Sequence, residues 1–526
     1  MTTEPPELRP GHVHPAFDRE LDAAAAHLAR ILVRACGYSS AALQARLVQS
    51  LNEAGRGPYV SRVAGSKSTG KMSLPAPGTS VDCGGFSLEL GSGRISQTLR
   101  QGLTNAFGFI GHWGLGLLSI LAGMRPYADD RPATLVFGIG IESFFVNGDD
   151  TRFENYCRSG PVGPLRNGTR FLIQCAAPTG MAASRDFSYA RHPLLTLVRQ
   201  VPLGMAGRLL LLAKQLWLPC EYLLGILRCP PLALLGRDLA YARIARALDE
   251  GGAIESVVLT CSNCPAQLLW MREAVRFETH MAWYAQNWRP LVYRADGLEY
   301  DPPGLRHVKV DVHWVWTEAF VEFLRAHTAA GRVEVVGPIL WYLPERRHRP
   351  ADAIEVVVFD VNPFSDETGV KLGLLENYYR PGHLVAFMEG VLALREALER
   401  HFGLPVRIKL KHKRAYHPLY DRGYFDLIDR FVAEGRLQTV PPSDNMFALI
   451  SGGHLVVVYP FSSPAYVADY LGVPAIYYDP TGTLEPTHEA ARCVTFVQSR
   501  EDLGAAAISA VAGREGFAAR DATTGK

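Results

Sequence analysis

HLVVVYPFSSPAYVADYLGVPAIYYDPTG, residues 454–482, sets two apolar runs around a short polar corner, Pro460-Phe461-Ser462-Ser463-Pro464. HLVVVY is too apolar to be a strand with one wet face, and AIYY (475–478) repeats the pattern after a helix-like segment. Apolar strands alternating with helices predict a parallel sheet covered on both faces. The same alternation extends outward. Strands are expected at 354–361 (IEVVVFDV), 406–411 (VRIKLK), 437–440, 454–459, 475–478 and 493–497. Helices are expected at 381–401, 421–434, 445–451, 464–471 and 501–511. Residues 352–514 thus read as a doubly wound α/β domain, with 515–526 as a disordered tail.

A charged, proline-bearing link, LPERRHRPADA (343–353), precedes that domain. Residues 131–343 read as a second, less regular α/β domain, with strand-like runs at 133–141, 169–175, 256–261, 290–293, 307–312 and 332–336. A leucine-dense insertion at about 190–236 interrupts it, punctuated by Arg199, Arg208, Lys214, Glu221 and Arg228. Such spacing fits a helical hairpin in a membrane interface, and equally an insertion packed on the protein's own core. Residues 1–130 form a helical and irregular extension, with helices at 15–53 and loops and short strands at 54–100. GLTNAFGFIGHWGLGLLSILAGM (102–124) is uncharged and long enough to span a bilayer. Its glycines, Asn105 and His112 favour a buried or membrane-facing helix instead.

A chain of 526 residues calls for two or three domains, and 48% apolar with 20% charged residues is globular. The net charge of +2, without a run of five like charges, argues against a nucleic-acid partner. Only Cys261 and Cys264 form a CxxC pair, and no second pair completes a zinc site. Scattered cysteines and a proline-rich N-terminus without an apolar core segment point to the cytoplasm. GSKSTGKM (65–72) nearly matches a P-loop. Met72 stands where Mg²⁺ needs a hydroxyl, and the following SLPAPG cannot open a helix, so no nucleotide P-loop is expected.

Three places at strand carboxyl ends remain, where open sheets hold ligands. Ser365, in the loop NPFSDE after the 354–361 strand, suits a phosphate or sugar, or simply caps a helix. Lys409, Lys411 and Lys413 alternate onto one side of the 406–411 strand and its exit, followed by Arg414. A lysine in a buried strand is costly unless it meets an anion, and the alternative is a solvated edge. Ser462 and Ser463 supply two hydroxyls at a helix start, where capping needs only one.

The corner 460–464 together with Tyr477-Tyr478-Asp479-Pro480 resembles the bacterial polysaccharide biosynthesis PFTS motif proteins, with Ser462 in place of the usual threonine. KHKR (411–414), HMAWYAQNWRP (280–290) and SGPVGPL (159–165) fit the same group, so the resemblance spans roughly 130–500. It implies a GT-B-like fold: two Rossmann-like domains facing a cleft. The implied activity is a metal-independent glycosyltransferase of surface polysaccharide assembly, similar in layout to sialyl and Kdo transferases that use CMP-sugars. On that resemblance Lys411, Lys413 and Arg414 take the donor phosphate's basic motif, and Ser462 and Ser463 its serine pair. His417-Pro418 falls a few residues later than the sialyltransferase His-Pro would, so CMP or another nucleotide stays open.

Such an enzyme needs a base or nucleophile from the acceptor side, and Glu142, Glu278 and His280 are the candidates. Each has a plainer role as a loop cap or core residue. The expected partners are a nucleotide sugar, a glycan or lipid-linked glycan acceptor and the inner membrane surface, with no cofactor beyond the donor. Two alternatives are a GT-B-like nucleotide-sugar epimerase and a non-catalytic scaffold in a polysaccharide assembly complex.

Overall fold

The computed structural model describes residues 15–65, 77–83, 85–97, 99–123, 131–139, 152–160, 162, 170–175, 186–201, 203–260, 267–285, 294, 307–327, 331–371, 378–411, 417–441, 444–485 and 494–513. At the N-terminus α1 (Pro15–Cys36) packs on α2 (Ser40–Gly65). The sequence placed the end of the second helix near residue 53, yet it runs on through Pro58. An interior proline removes one helix bond. Burial of the adjacent Tyr59, stacked on Phe17 at 4.7 Å, offsets that loss. A small antiparallel sheet follows, β1 (Ser80–Asp82), β2 (Phe86–Glu89) and β3 (Arg94–Gln97), then α3 (Leu99–Ala122).

The first large sheet is built from β4 (Ala133–Phe137), β5 (Arg170–Gln174), β6 (Phe187–Ala190), β7 (Ile254–Thr260), β8 (Glu278–Ala282), β9 (Val312–Val315) and β10 (Arg332–Val335). Its helices are α4 (Arg152–Ser159), α5 (Pro193–Gln200), α6 (Met205–Arg228), α7 (Gly236–Glu250), α8 (Leu269–Arg272) and α9 (Glu318–His327). The strand order is β10-β9-β8-β7-β4-β5-β6, every pairing parallel. Here the sequence reading was incomplete. β6 is four residues long and β8 opens on polar residues, so neither stood out, while 290–293 lies outside the described residues.

The second sheet follows the sequence closely: β11 (Ile354–Phe359), β12 (Val406–Lys411), β13 (Gln438–Val440), β14 (Leu455–Val458), β15 (Ala475–Tyr478) and β16 (Val494–Val497). Between them run α10 (Asp366–Lys371), α11 (Pro381–Phe402), α12 (Arg422–Ala433), α13 (Met446–Gly452), α14 (Pro464–Tyr470) and the closing α15 (Arg500–Ala512). Local chemistry fixes the boundaries. Asp421, Asn445 and Ser499 cap α12, α13 and α15 through their side chains, and Gly403 ends α11 with φ +66°. The parallel order β13-β12-β11-β14-β15-β16 is the 3-2-1-4-5-6 order of dinucleotide-binding sheets. It reverses direction between β11 and β14. The whole is the GT-B-like α/β layout that the family resemblance implies, two parallel sheets with an N-terminal helical extension and a helical insertion.

Two histidines lie in the core of the first sheet. His280, mid-β8, stacks on Trp314 at 4.7 Å. His313 Nδ1 accepts from Trp283 Nε1 at 3.1 Å. Burial pulls both imidazoles down to about 4; for His280, Asp311 opposes the shift and Arg332 adds to it. In the unfolded chain each takes a proton near pH ~6.5. Their contribution to stability is therefore complete above that pH and is lost as pH falls towards about 4. Urea unfolding at pH 7 and pH 5 should differ by roughly 2 kcal/mol per histidine. His280→Phe should remove one share of that slope, and a profile parallel to the parent's would show that His280 titrates as a solvated residue.

Candidate functional site at the switch of the second sheet

Parallel strands send all their carboxyl ends to one edge, and a switch point opens a crevice there. In the second sheet Lys411, Phe359 and Val458 share one row across β12, β11 and β14. The 460–464 corner leaves β14 from that row. Lys411 and Val458 are two strand spacings apart, about 10 Å.

The corner is held by an unusual backbone. Phe461 has φ +59°, a left-handed conformation that non-glycine residues rarely adopt. Its ring is buried against Tyr477 and Phe496, at 5.6 and 5.7 Å, and this packing secures the turn. Ser462 Oγ donates to the Tyr459 carbonyl at 2.9 Å, and the Ser462 carbonyl accepts from Tyr477 Oη at 3.0 Å. The Ser462 hydroxyl thus closes the corner. Ser463 occupies the N-cap position of α14, half-buried, and its side chain makes no cap bond. Pro464 opens that seven-residue helix.

Lys411 ends β12 and is buried, with Nζ donating to the Asp444 carbonyl. Burial pulls its ammonium down to about 8; Asp444 pushes the other way and Arg152 adds to the fall. Arg152, at the start of α4, comes from the other half of the chain. Its guanidinium donates to the carbonyls of Trp341 and Leu340, at 3.0 and 2.8 Å, and lies 3.3 Å over the Tyr342 ring. Two buried cations from the two halves therefore converge beside the switch-point edge. Arg294, following β8 in the chain, reaches the same side, its amide donating to the Thr483 carbonyl at 2.9 Å. Nothing in the sequence marked Arg152, which sits in an ordinary polar helix.

The other expected residues are placed as follows. Lys409 meets its anion inside the sheet, with Nζ donating to Glu355 Oε2 at 2.7 Å. Ser365 caps α10, its Oγ accepting from the Thr368 amide at 3.2 Å. Glu278 opens β8 and is exposed at the amino edge of the first sheet, and His280 is enclosed at mid-strand. Glu142, Lys413, Arg414, the CxxC pair and the P-loop-like stretch after Gly65 lie outside the described residues. Among the described residues no group of three His, Cys, Asp or Glu could hold a metal ion.

Asp479, in the YYDP stretch, is fully buried and accepts five hydrogen bonds. The donors are Tyr378 Oη at 2.6 Å, the Thr481 amide and hydroxyl at 2.9 and 2.6 Å, the Leu484 amide at 3.0 Å and Gln498 Nε2 at 3.0 Å. Burial pushes its carboxyl up, but these bonds outweigh it and hold the group below the usual carboxylate range. The carboxylate therefore stabilises the fold above the unfolded value, and this is lost as pH falls through the lower folded one. Asp479→Ala leaves several buried donors unpaired and should cost about 3 kcal/mol or more, read from urea unfolding. A loss below about 1 kcal/mol would show that water replaces the carboxylate.

The family model described as polysaccharide biosynthesis PFTS motif protein matches residues 218–506. No curated protein matches the chain. Among solved structures, the sucrose-phosphate synthase of Thermosynechococcus elongatus aligns at 12% identity over 73% of this chain and 90% of that one, with a TM-score of 0.39. The wall teichoic acid polymerase TagF, as its H548A variant, aligns at 10% identity over 78% and 88%, with a TM-score of 0.37. An E. coli structure described as trehalose-6-phosphate bound with UDP-2-fluoro glucose aligns at 10% identity over 73% and 92%, also with a TM-score of 0.37.

Proposed function

The chain belongs to the polysaccharide biosynthesis PFTS motif protein family, and from that premise we propose that it is a glycosyltransferase moving a sugar from a nucleotide-activated donor to a glycan acceptor. The observation that carries this reading is the buried Lys411 at the switch-point edge, beside Arg152 and in one row with the strand that leads into the serine corner. In sugar transfer the nucleotide leaves, and negative charge develops on its phosphate. Preorganised cations in a water-poor site stabilise that charge most. Residues 352–514 would bind the donor, and 131–343 would present the acceptor. Lys413 and Arg414, which follow β12 in the chain, would extend the basic motif.

The base would come from the first half. Glu142 follows the carboxyl end of β4 in the chain, the edge from which a catalytic group must reach, and we retain it ahead of Glu278 and His280. The donor proposed is a CMP-linked keto-acid sugar such as Kdo or a sialic-acid relative. The acceptor is a lipid-linked glycan met at the cytoplasmic face of the membrane.

A thermal-shift panel of CMP, UDP, GDP and ADP and their sugars tests the donor, because a ligand of the folded state raises the melting temperature by mass action. A shift with CMP should appear in the parent and shrink in Lys411→Met and Ser463→Ala. A shift with UDP alone would replace the donor, and a Lys411→Met variant that responds like the parent would move the site elsewhere. Turnover of donor without acceptor would identify an epimerase, and binding without turnover on any acceptor a scaffold. Affinity should also depend on pH. Because burial holds the Lys411 ammonium at about 8, nucleotide affinity should weaken as pH rises through that value. The loss between pH 7 and pH 9 should be about tenfold by calorimetry if only the charged form binds.

A further inference from the structure

α3 and α6 each leave an apolar row exposed. On α6 the face turned to the protein mixes Arg208, Gln215 and Tyr222 with Leu211 and Leu218, while Leu209, Leu216, Trp217, Leu223 and Leu227 point away from it. Leu227 is 81% exposed. On α3 the outward row is Leu103, Phe107, Leu115, Leu118 and Leu121, with Phe107 71% exposed and no charge among them. A helix on the surface of a soluble domain normally turns its apolar stripe inward. Isolated exposed leucines need no explanation, but two neighbouring rows of them do.

The two helices form one surface. Phe109 stacks on Tyr222 at 3.8 Å. A Cβ at Gly116 would meet Gln215, and a Cβ at Gly123 would meet Arg208. The contacts step seven residues forward on α3 and seven back on α6, so the helices run antiparallel, with glycines letting them close on each other. Each is about 36 Å long. Their inner polar groups are bonded along this length to the body of the protein. Gln215 Nε2 donates to the Ala240 carbonyl at 3.0 Å, and Arg208 Nη1 to that of Val198 at 3.0 Å. His112 Nδ1 pairs with Tyr241 Oη at 2.8 Å. Both helices are long and apolar enough to cross a membrane, yet each has protein along one whole side. That arrangement suits lying in an interface, not spanning it.

We infer that the outward face of α3 and α6 docks flat on a lipid bilayer carrying anionic headgroups. Charge selects this occupant. Exposed Arg100 begins α3, and Lys214 and the exposed Arg228 lie on α6. Lys214 also lines a groove of about 770 Å³ with Trp217, Arg243 and Arg246, against the carboxylates Glu221 and Glu250. A second copy of the chain on this face would set like charges together, whereas anionic headgroups pair with them. Trp217, an indole at 59% exposure beside Lys214, has the amphipathic character of interfacial anchors.

The docking surface gives the proposed cytoplasmic-face location its physical basis, but it does not depend on the donor site. The test is co-sedimentation of the full chain with phosphatidylglycerol–phosphatidylethanolamine vesicles and with phosphatidylcholine vesicles. Binding should favour the anionic vesicles and weaken in high salt. The double variant Phe107→Glu and Leu227→Glu changes two highly exposed side chains, so it should keep the parent's melting temperature and nucleotide shift. Its vesicle affinity should fall at least about tenfold. Brominated lipids should quench the parent's fluorescence more than that of Trp217→Phe. No sedimentation of the parent, or equal sedimentation of the double variant, would overturn docking. So would a parent dimer that the double variant makes monomeric without any vesicle binding, which would assign the face to self-association. Loss of nucleotide binding with vesicle binding intact would instead count against the donor site alone.

Discussion

The Arg152 guanidinium lies where the two halves of the molecule meet. It holds the carbonyls of Leu340 and Trp341 and covers the ring of Tyr342, at the start of the segment that carries the chain from the first sheet to the second. Trp341 is itself left-handed at φ +58° and fully buried, with Phe153, Tyr156 and Tyr284 around its ring at 5.3 to 5.9 Å. A crossing residue pinned by charge, stacking and backbone conformation cannot shift without losing all three. Lys411 is near enough to feel the same guanidinium. The joint between the halves and the cation at the switch-point edge are thus parts of one electrostatic arrangement. An anion arriving there would relieve the repulsion that two buried cations impose on each other.

The second sheet could be read from the sequence because its central strands β11, β14 and β15 are buried on both faces and turn or capping residues bound α11, α12, α13 and α15. β12 and β15 were placed to the residue, since VRIKLK and AIYY are bounded by the turns before and after them. The first sheet was less legible for a local reason. ETHMA (β8) carries a Glu, a Thr and a His in a strand whose last four residues are buried, so its hydropathy hides its burial. Strand order was not legible in either sheet, because it depends on which faces the crossover helices cover, and no periodicity records that.

At the candidate site, the sequence placed Lys411, Ser462 and Ser463 at strand carboxyl ends, as the structure does, but could not show which side chains pair within the protein. A lysine in a buried strand does need an anion, but for Lys409 the anion is Glu355 on the next strand, one turn of the pleat before the edge. Pattern gives the spacing of charges along one strand and says nothing about the strand beside it. The YYDP stretch drew notice as a motif. Its aspartate proves to be a buried acceptor of five bonds that ties the loop after β15 to Tyr378 and Gln498.

The same limit explains the insertion. From composition, leucines interrupted by cations fit a core insertion and an interfacial helix equally well, because both need an amphipathic helix. What separates them is which side the body occupies, and only the packing decides that. Arg208 and Gln215 would be poor choices for a lipid-facing row. They are equally poor for a dry core unless acceptors wait for them, as the carbonyls of Val198 and Ala240 do. With those polar groups satisfied inward, only Leu211 and Leu218 of the leucines of α6 are buried with them. The inner seam thus takes polar and apolar groups together, and the apolar row left outside is the surface that the proposed bilayer contact would remove from water.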